Sequence, residues 1–218
     1  MKRQGRRSSA FRAWFWRSPA RALYLLGAAG LMLSMLLTFA LDTLGYAAGI
    51  LREQTITLAD TQRYTCVNLE QTEDGTLTSL TGDAQLLLDT QGRVRSLRLA
   101  AQYPRGDASE MDLYWHLPGR GYTAAQRVWP VRCGGNAGWC YTVPWLAGQN
   151  LRLDLADQSG VAVQVQAIIL NERPAWYRYF IPTLSQLFWL AAVPGLLACA
   201  VMLGRELAAA RRRTGEAK

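Results

Sequence analysis

Two stretches of this chain carry no charged residue over the length of a bilayer's hydrocarbon core, and they limit what the rest can become. The first is residues 22 to 41, ALYLLGAAGLMLSMLLTFAL. The second is residues 179 to 203, YFIPTLSQLFWLAAVPGLLACAVML. A helix needs about 20 apolar residues to cross that core. A buried helix of a soluble domain seldom stays uncharged on every face for so long. Both stretches are therefore expected to be transmembrane helices. A cleaved signal peptide is the competing reading of the first. The block is longer than a signal peptide's apolar region, and Ala40-Leu41-Asp42 makes a poor cleavage site, which favours a retained anchor.

Charge orients the pair. Seven Lys/Arg and no acid precede residue 22, and five Lys/Arg with two Glu follow residue 203. Residues 42 to 176 hold eleven Arg against fourteen Asp/Glu. The formal net charge of +8 thus resides in two short tails. Basic tails mark the cytoplasmic side, so both termini are expected there and the central segment in the periplasm of a bacterial inner membrane. A basic chain invites a nucleic-acid partner, but no basic patch lies within the folded part, which argues against one. The tails suit anionic lipid headgroups instead.

The flanks of the spans agree with lipid as a partner. Trp14 and Trp16 before the first span, and Trp176, Tyr177, Arg178 and Tyr179 at the second, are expected as membrane-interface anchors. Ser18-Pro19 reads as a helix start, with Ser as the cap and Pro in the first turn. Gly27, Gly30 and Ser34 form a small-residue stripe, and Pro194-Gly195 interrupts the second span. These five are helix-packing candidates, either between the two spans or against another membrane protein.

From residue 53 the pattern changes to short runs rich in Val, Thr, Leu and Tyr, separated by Gly, Asp and Asn. RVRSLRL and VAVQVQ alternate apolar with polar residues, as half-buried strands do. TEDGTL and TGDAQ read as turns. About eight strands at this spacing predict an all-β domain, an antiparallel β-sandwich or jelly roll. The expected order is a basic tail 1–21, a span 22–41, a linker or helix extension 42–52, a β-sandwich 53–175, a span 179–203 and a basic tail 204–218. Almost no linker separates the last strand from the second span, so the domain is expected close against the membrane. Cys133 and Cys140 bracket a short Gly-rich loop and are a disulfide candidate on the oxidising side. Cys66 is then either free and buried or the true partner of one of them. With one His and no second Cys pair, no metal site is expected.

Tyr114-Trp115, then Gly121-Tyr122-Thr123, then Leu151-Arg152-Leu153-Asp154, Gly160 and the closing Ile168 to Leu170 follow one another in a recognisable order. This order resembles β-sandwich, carbohydrate-binding-like modules attached to bacterial membrane glycosyltransferases and other cell-envelope polysaccharide proteins. It covers a quarter to a third of the chain. It departs from them in lacking Pro after Asp154 and in carrying the Cys133–Cys140 loop. The resemblance implies a sandwich fold and an envelope-glycan setting, and it implies nothing about which residues touch a ligand.

Candidate contacts come from residue chemistry. Tyr114, Trp115, Tyr122, Trp129, Trp139, Tyr141 and Trp145 crowd one third of the domain. Each ring has three possible roles: core, partner interface, or platform for a sugar ring. Trp139 and Tyr141 flank Cys140 in an expected loop and are therefore the expected exposed pair. Arg152 and Asp154 share a strand face, being two apart, and form a polar pair whose plainer role is structural. His116 stands alone, and Asp107, Glu110 and Asp112 lack the spacing of a calcium loop. No nucleophile–base pattern, phosphate loop or cofactor motif occurs, so neither catalysis nor a cofactor is expected.

The expected role is a non-catalytic accessory subunit of an envelope glycan or glycolipid machine. Its partner would be a polytopic glycosyltransferase, flippase or ligase, with contact to a saccharide or lipid-linked sugar. A polysaccharide chain-length regulator also has two spans, but such regulators carry long helical segments between them, and this chain has none. A scaffold unrelated to sugar is a further alternative.

Overall fold

The computed structural model describes residues 18–72, 75–105, 110–116, 119, 121–133, 138–144 and 150–215. Trp14, Trp16, Asp107 and Trp145 lie outside these residues. The chain forms two compact units. One takes in the described residues up to Leu41 and from Pro174 onward, and the other is Asp42–Arg173.

The second unit is all-β apart from its ends and short turns. Among the described residues its strands are β1 Gln54–Ile56, β2 Tyr64–Val67, β3 Leu69–Gln71, β4 Thr76–Ser79, β5 Ala84–Leu88, β6 Ser96–Gln102, β7 Leu113–Trp115, β8 Arg127–Val128, β9 Val131–Arg132, β10 Trp139–Thr142, β11 Leu151–Ala156 and β12 Ala162–Leu170. They make two antiparallel sheets. One has the order β3-β4-β12-β6-β10-β9, with β1 also on β12, and the other is β2-β5-β11-β7-β8.

The apolar positions of the sequence set the inner faces. Leu151, Leu153 and Leu155 of β11 and Leu86 of β5 are fully buried, as are Leu97 and Leu99 of β6 and Val163, Ile168 and Leu170 of β12. Together they form one core between the sheets. Each fully buried leucine contributes about 2 kcal/mol relative to exposure. The inward residues of β12 change parity, from Val163 and Val165 to Ile168 and Leu170. The register against β6 shifts between Val165 and Ala167, and this bulge keeps both halves of a nine-residue strand facing the core.

More strands exist than the spacing predicted, for local reasons. RYTCVNL divides at Asn68, whose φ of 56° turns the chain, so β2 and β3 join different sheets. QRVWPVRC divides at Trp129-Pro130, so β8 lies in one sheet and β9 in the other. Pro130 has no N–H to give to a ladder, which makes it a natural crossing point. The turns expected at TEDGTL and TGDAQ are shorter than read, because β4 begins at Thr76 and β5 at Ala84.

The two ends of this unit meet at Asn171, which is fully buried with φ of 52°. Its Oδ1 accepts the amides of Arg95 (2.7 Å) and Ser96 (3.4 Å). Its Nδ2 donates to the carbonyls of Arg93 (2.8 Å) and Arg52 (3.2 Å). Its own amide donates to Ser96 O at 2.8 Å, and its carbonyl accepts the Tyr46 hydroxyl at 3.0 Å. Asp42, buried, lies 3.4 Å from Arg95 Nε.

The first unit holds two long apolar helices. Helix α1, Pro19–Ala47, starts at the expected Ser18-Pro19, and its last turns from Asp42 belong to the β unit. Helix α2, Leu184–Gly215, is preceded by a 3₁₀ turn, Trp176–Phe180. Its start is a capping box. Gln186 N–H donates to Thr183 Oγ1 at 3.2 Å, and Thr183 N–H donates to Gln186 Oε1 at 2.8 Å. Large apolar side chains point outward along both helices, among them Leu33 (67% exposed) and Leu196 (70%).

Of the small residues, Gly27 is where the helices approach. A Cβ there would lie 3.1 Å from Leu190 Cδ1 and 3.2 Å from Pro194 Cγ. Pro194 is inside α2, which continues through it. One turn away, the Tyr24 hydroxyl donates to Ala191 O at 3.0 Å and lies 3.2 Å from where a Cβ on Gly195 would be. Gly30 faces open space, and Ser34 donates to its own helix at Leu31 O. Gly27→Val is therefore expected to weaken the α1–α2 pairing by about 1–3 kcal/mol, and Gly30→Val to leave it unchanged. Cross-linking yield between cysteines introduced across the pair measures this.

Candidate functional site

The outward face of the five-stranded sheet gathers the polar and aromatic candidates. On β11 the three leucines face the core, so Arg152 and Asp154 face out. Across the ladder Arg152 is opposite Tyr114, and Tyr114 is opposite Arg127. These three therefore form one cross-strand row. Asp112 precedes Tyr114 by two residues and shares its face, between the inward Met111 and Leu113.

Three ion pairs hold the row. Arg152 grips Asp154 through both oxygens, Nε to Oδ1 and Nη2 to Oδ2, each at 2.7 Å. The same Nη2 reaches Asp83 Oδ1 at 3.1 Å. Bidentate pairing fixes orientation as well as energy. Arg127 Nη1 lies 3.1 Å from Asp112 Oδ2. The Arg152 guanidinium lies 4.9 Å from the Tyr114 ring centre and 5.9 Å from that of Tyr122, and His116 meets Tyr122 edge to face at 4.9 Å. Arg127 lies 4.9 Å over Trp129.

Burial shapes the acidity of these groups. It pushes the Asp154 carboxyl above its ordinary value of 3.8, against the opposing bond from Arg152. It does the same to Asp112, where Arg127 opposes and Glu110 and Asp154 reinforce. Burial also raises the Tyr122 phenol. A native carboxyl that holds its proton more tightly than the unfolded chain does is stabilised by protonation. The wild type is thus expected to gain stability relative to Asp112→Asn as pH falls from neutral through the raised native value toward 3.8. Paired thermal melts at several pH values measure that difference.

The sequence candidates divide on this geometry. Tyr114, Tyr122, Arg152 and Asp154 come together on the platform. Trp129 sits at its edge and is 67% exposed. Trp115 is half-buried against the core. The expected exposure of Trp139 and Tyr141 is corrected: they are 8% and 1% exposed, because β10 is a strand and its first and third residues point inward. Tyr141 donates to Met111 O at 3.3 Å, and Arg132 covers Trp139 at 3.5 Å. Cys133 and Cys140 are bonded, with Cα atoms 5.5 Å apart, and Cys66 and Cys199 are free. Trp176, Tyr177, Arg178 and Tyr179 lie on the 3₁₀ turn, with Trp176 68% and Tyr177 50% exposed. Arg127 and Asp83 also belong to the platform, with no local signal in the sequence to mark them. Only ladder register, which the sequence does not display, brings them beside Asp112 and Arg152.

The fold and site define a class: a two-sheet antiparallel β-sandwich flanked in sequence by two long apolar helices. No family model matches the chain, and no curated protein does. Among the solved structures similar at low level are two sugar-binding or sugar-bound modules. One is a low-affinity xylan-binding module from Roseburia intestinalis, with TM-score 0.37 and 11% identity over 55% of this chain and 94% of that one. The other is a module from Clostridium stercorarium solved with cellobiose, with TM-score 0.33 and 12% identity over 55% of this chain and 93% of that one. Likeness at that level assigns neither a family nor a ligand.

Proposed function

We propose that this chain is a membrane-anchored, non-catalytic accessory subunit of a cell-envelope glycan or glycolipid machine, whose β-sandwich contacts saccharide. The helices α1 and α2 cross the inner membrane, both termini are cytoplasmic, and the sandwich is periplasmic. The partner is a polytopic glycosyltransferase, flippase or ligase. The outward apolar side chains of both helices support lipid as their solvent, since a water-facing helix would bury them. The Cys133–Cys140 bond supports an oxidising compartment.

The observation that carries the binding role is the clamped platform. Arg152 is held by two aspartates beside two tyrosine rings, so its geometry is preformed. Preformed aromatic and polar groups are what a recognition surface needs, because little entropy is lost on binding. The test is a mild-detergent pull-down of the tagged full-length chain, with mass spectrometry of what co-elutes. One stoichiometric polytopic protein of glycan assembly is the expected result. Recovery of the chain alone, together with unchanged surface polysaccharide and glycolipid in a deletion strain, would overturn the reading.

A further inference from the structure

Where the β unit begins and ends, it turns apolar and basic side chains outward together. Helix α1 closes in a turn built on Gly49, whose φ of 68° is the left-handed conformation that ends a helix. The amides of Ile50 and Leu51 both donate to Gly45 O, at 2.9 and 3.0 Å. This turn buries Leu51 and leaves its neighbour Ile50 49% exposed. Leu44, in the last turns of α1, is 65% exposed. It follows the uncharged run 22–41 by three residues. At the helical rise that is about 5 Å, which is within the headgroup layer of any bilayer the run crosses.

Two arginines are held on the same turn. Arg52 Nε donates to Gly49 O at 3.0 Å, and the Arg173 guanidinium lies 5.5 Å from the Tyr46 ring centre. Gly49 N–H donates to Tyr46 O at 3.1 Å, so the residues that hold the two arginines are themselves joined. Asn171 ties the ends of the unit from inside, Nδ2 to Arg52 O. Both arginines are exposed, and no ion pair engages either among the described residues. Two neighbouring carboxylates are taken by other arginines: Asp42 lies against Arg95, and Arg98 grips Glu172 at 2.6 and 3.2 Å. Glu53 is left against Arg52 and Arg173, and the patch is positive. Apolar side chains interleaved with guanidiniums suit a water–lipid boundary, where the apolar groups enter the acyl edge and the charges stay at the phosphates.

We infer that Leu44, Ile50, Arg52 and Arg173 form a lipid-docking surface of the β unit, with Leu44 and Ile50 at the acyl boundary and the two guanidiniums on the phosphates of an anionic glycerophospholipid. The inference rests on the reading that α1 and α2 cross a membrane, and it adds that the β unit itself holds lipid.

The experiment uses the full chain in nanodiscs of mixed phosphatidylcholine and phosphatidylglycerol. A photoreactive benzophenone side chain replaces one residue at a time, Leu33, Ile50 or Leu80. Leu33 points outward from α1 within the first uncharged run. Leu80 is exposed at the other end of the sandwich, past Thr78, which pairs with Ala162 at the start of β12, whereas Gln54 pairs with Leu170 at its end. Lipid adducts at positions 33 and 50, and none at 80, are the expected result. At position 50 phosphatidylglycerol adducts should exceed those of phosphatidylcholine, and Arg52→Gln and Arg173→Gln should each lower that ratio about threefold to fivefold. Adducts at 33 without adducts at 50, or equal adducts at 50 and 80, would overturn the inference and leave the spanning helices standing. No adduct at 33 would overturn the spanning reading and the inference with it. A ratio unmoved by both substitutions would overturn the anionic lipid as the ligand of this surface.

Discussion

Asn171→Ala is expected to lower the unfolding free energy of the β unit by about 3–5 kcal/mol, a large part of what a domain of this size possesses. The side chain alone closes four hydrogen bonds, to Arg52, Arg93, Arg95 and Ser96. Alanine leaves those buried amides and carbonyls unpaired, and each such group loses about 1–3 kcal/mol before relaxation. Alanine also tolerates the φ of 52° poorly, whereas asparagine adopts it readily. Asn171→Asp should fare little better, since it retains the acceptor for Arg95 but loses both donors and buries a charge against two carbonyls. Tyr46→Phe is the graded control. It removes only the hydroxyl that donates to Asn171 O, and about 1 kcal/mol should be lost. Urea unfolding of the full chain in detergent measures the totals. Hydrogen exchange should show the Arg95 and Ser96 amides losing protection first. A loss below about 1 kcal/mol for Asn171→Ala would show that the two ends are held by other contacts.

Gly138→Ala should disrupt the fold to a similar degree, by about 3–5 kcal/mol, for a different reason. Gly138 has φ of 92°, and a Cβ there would overlap the Leu99 carbonyl oxygen and approach Leu99 C at 3.1 Å and Ala100 Cα at 3.2 Å. Those atoms are strand backbone and have nowhere to go. Gly138 O also accepts Cys133 N–H at 3.0 Å, closing the hairpin that the disulfide staples. Displacing it takes Trp139 off its ladder partner Leu99 and out of the core. Gly160→Ala separates strain from collision. Its φ is 78° with nothing within 4 Å, so only the backbone penalty of about 1–2 kcal/mol is expected. Equal losses at the two glycines would rule out the collision and leave φ as the whole effect.

The legibility of the site followed the range of each interaction. Arg152 and Asp154 were readable as a pair because two residues along a strand share a face, and the clamp between them is that local geometry realised. Asp112 was visible as a residue but not as a member of the site. Its partner Arg127 lies fifteen positions on and becomes its neighbour only through the pairing of β7 with β8. Trp139 and Tyr141 were misplaced because a short Cys-flanked stretch reads equally well as a loop or a strand. Its pairing with β6 decides the matter. In the helical unit Gly27, Gly30 and Ser34 form a stripe of near-equivalent small residues, yet the close approach occurs at Gly27.

By itself the sequence determined the elements whose cause is local. Uncharged runs of bilayer length become long apolar helices, Ser18-Pro19 opens the first of them, and alternation of leucine with Arg152 and Asp154 makes a half-buried strand. These depend on solvation and backbone sterics within a few residues. Tertiary structure alone decided which strands lie side by side, that Pro130 carries the chain from one sheet to the other, and that Asn171 ties the two ends of the β unit. It also set three platform aspartates against two arginines. Each of these rests on register between segments distant in sequence, and register is chosen by the collective burial of the core rather than by any one residue's preference.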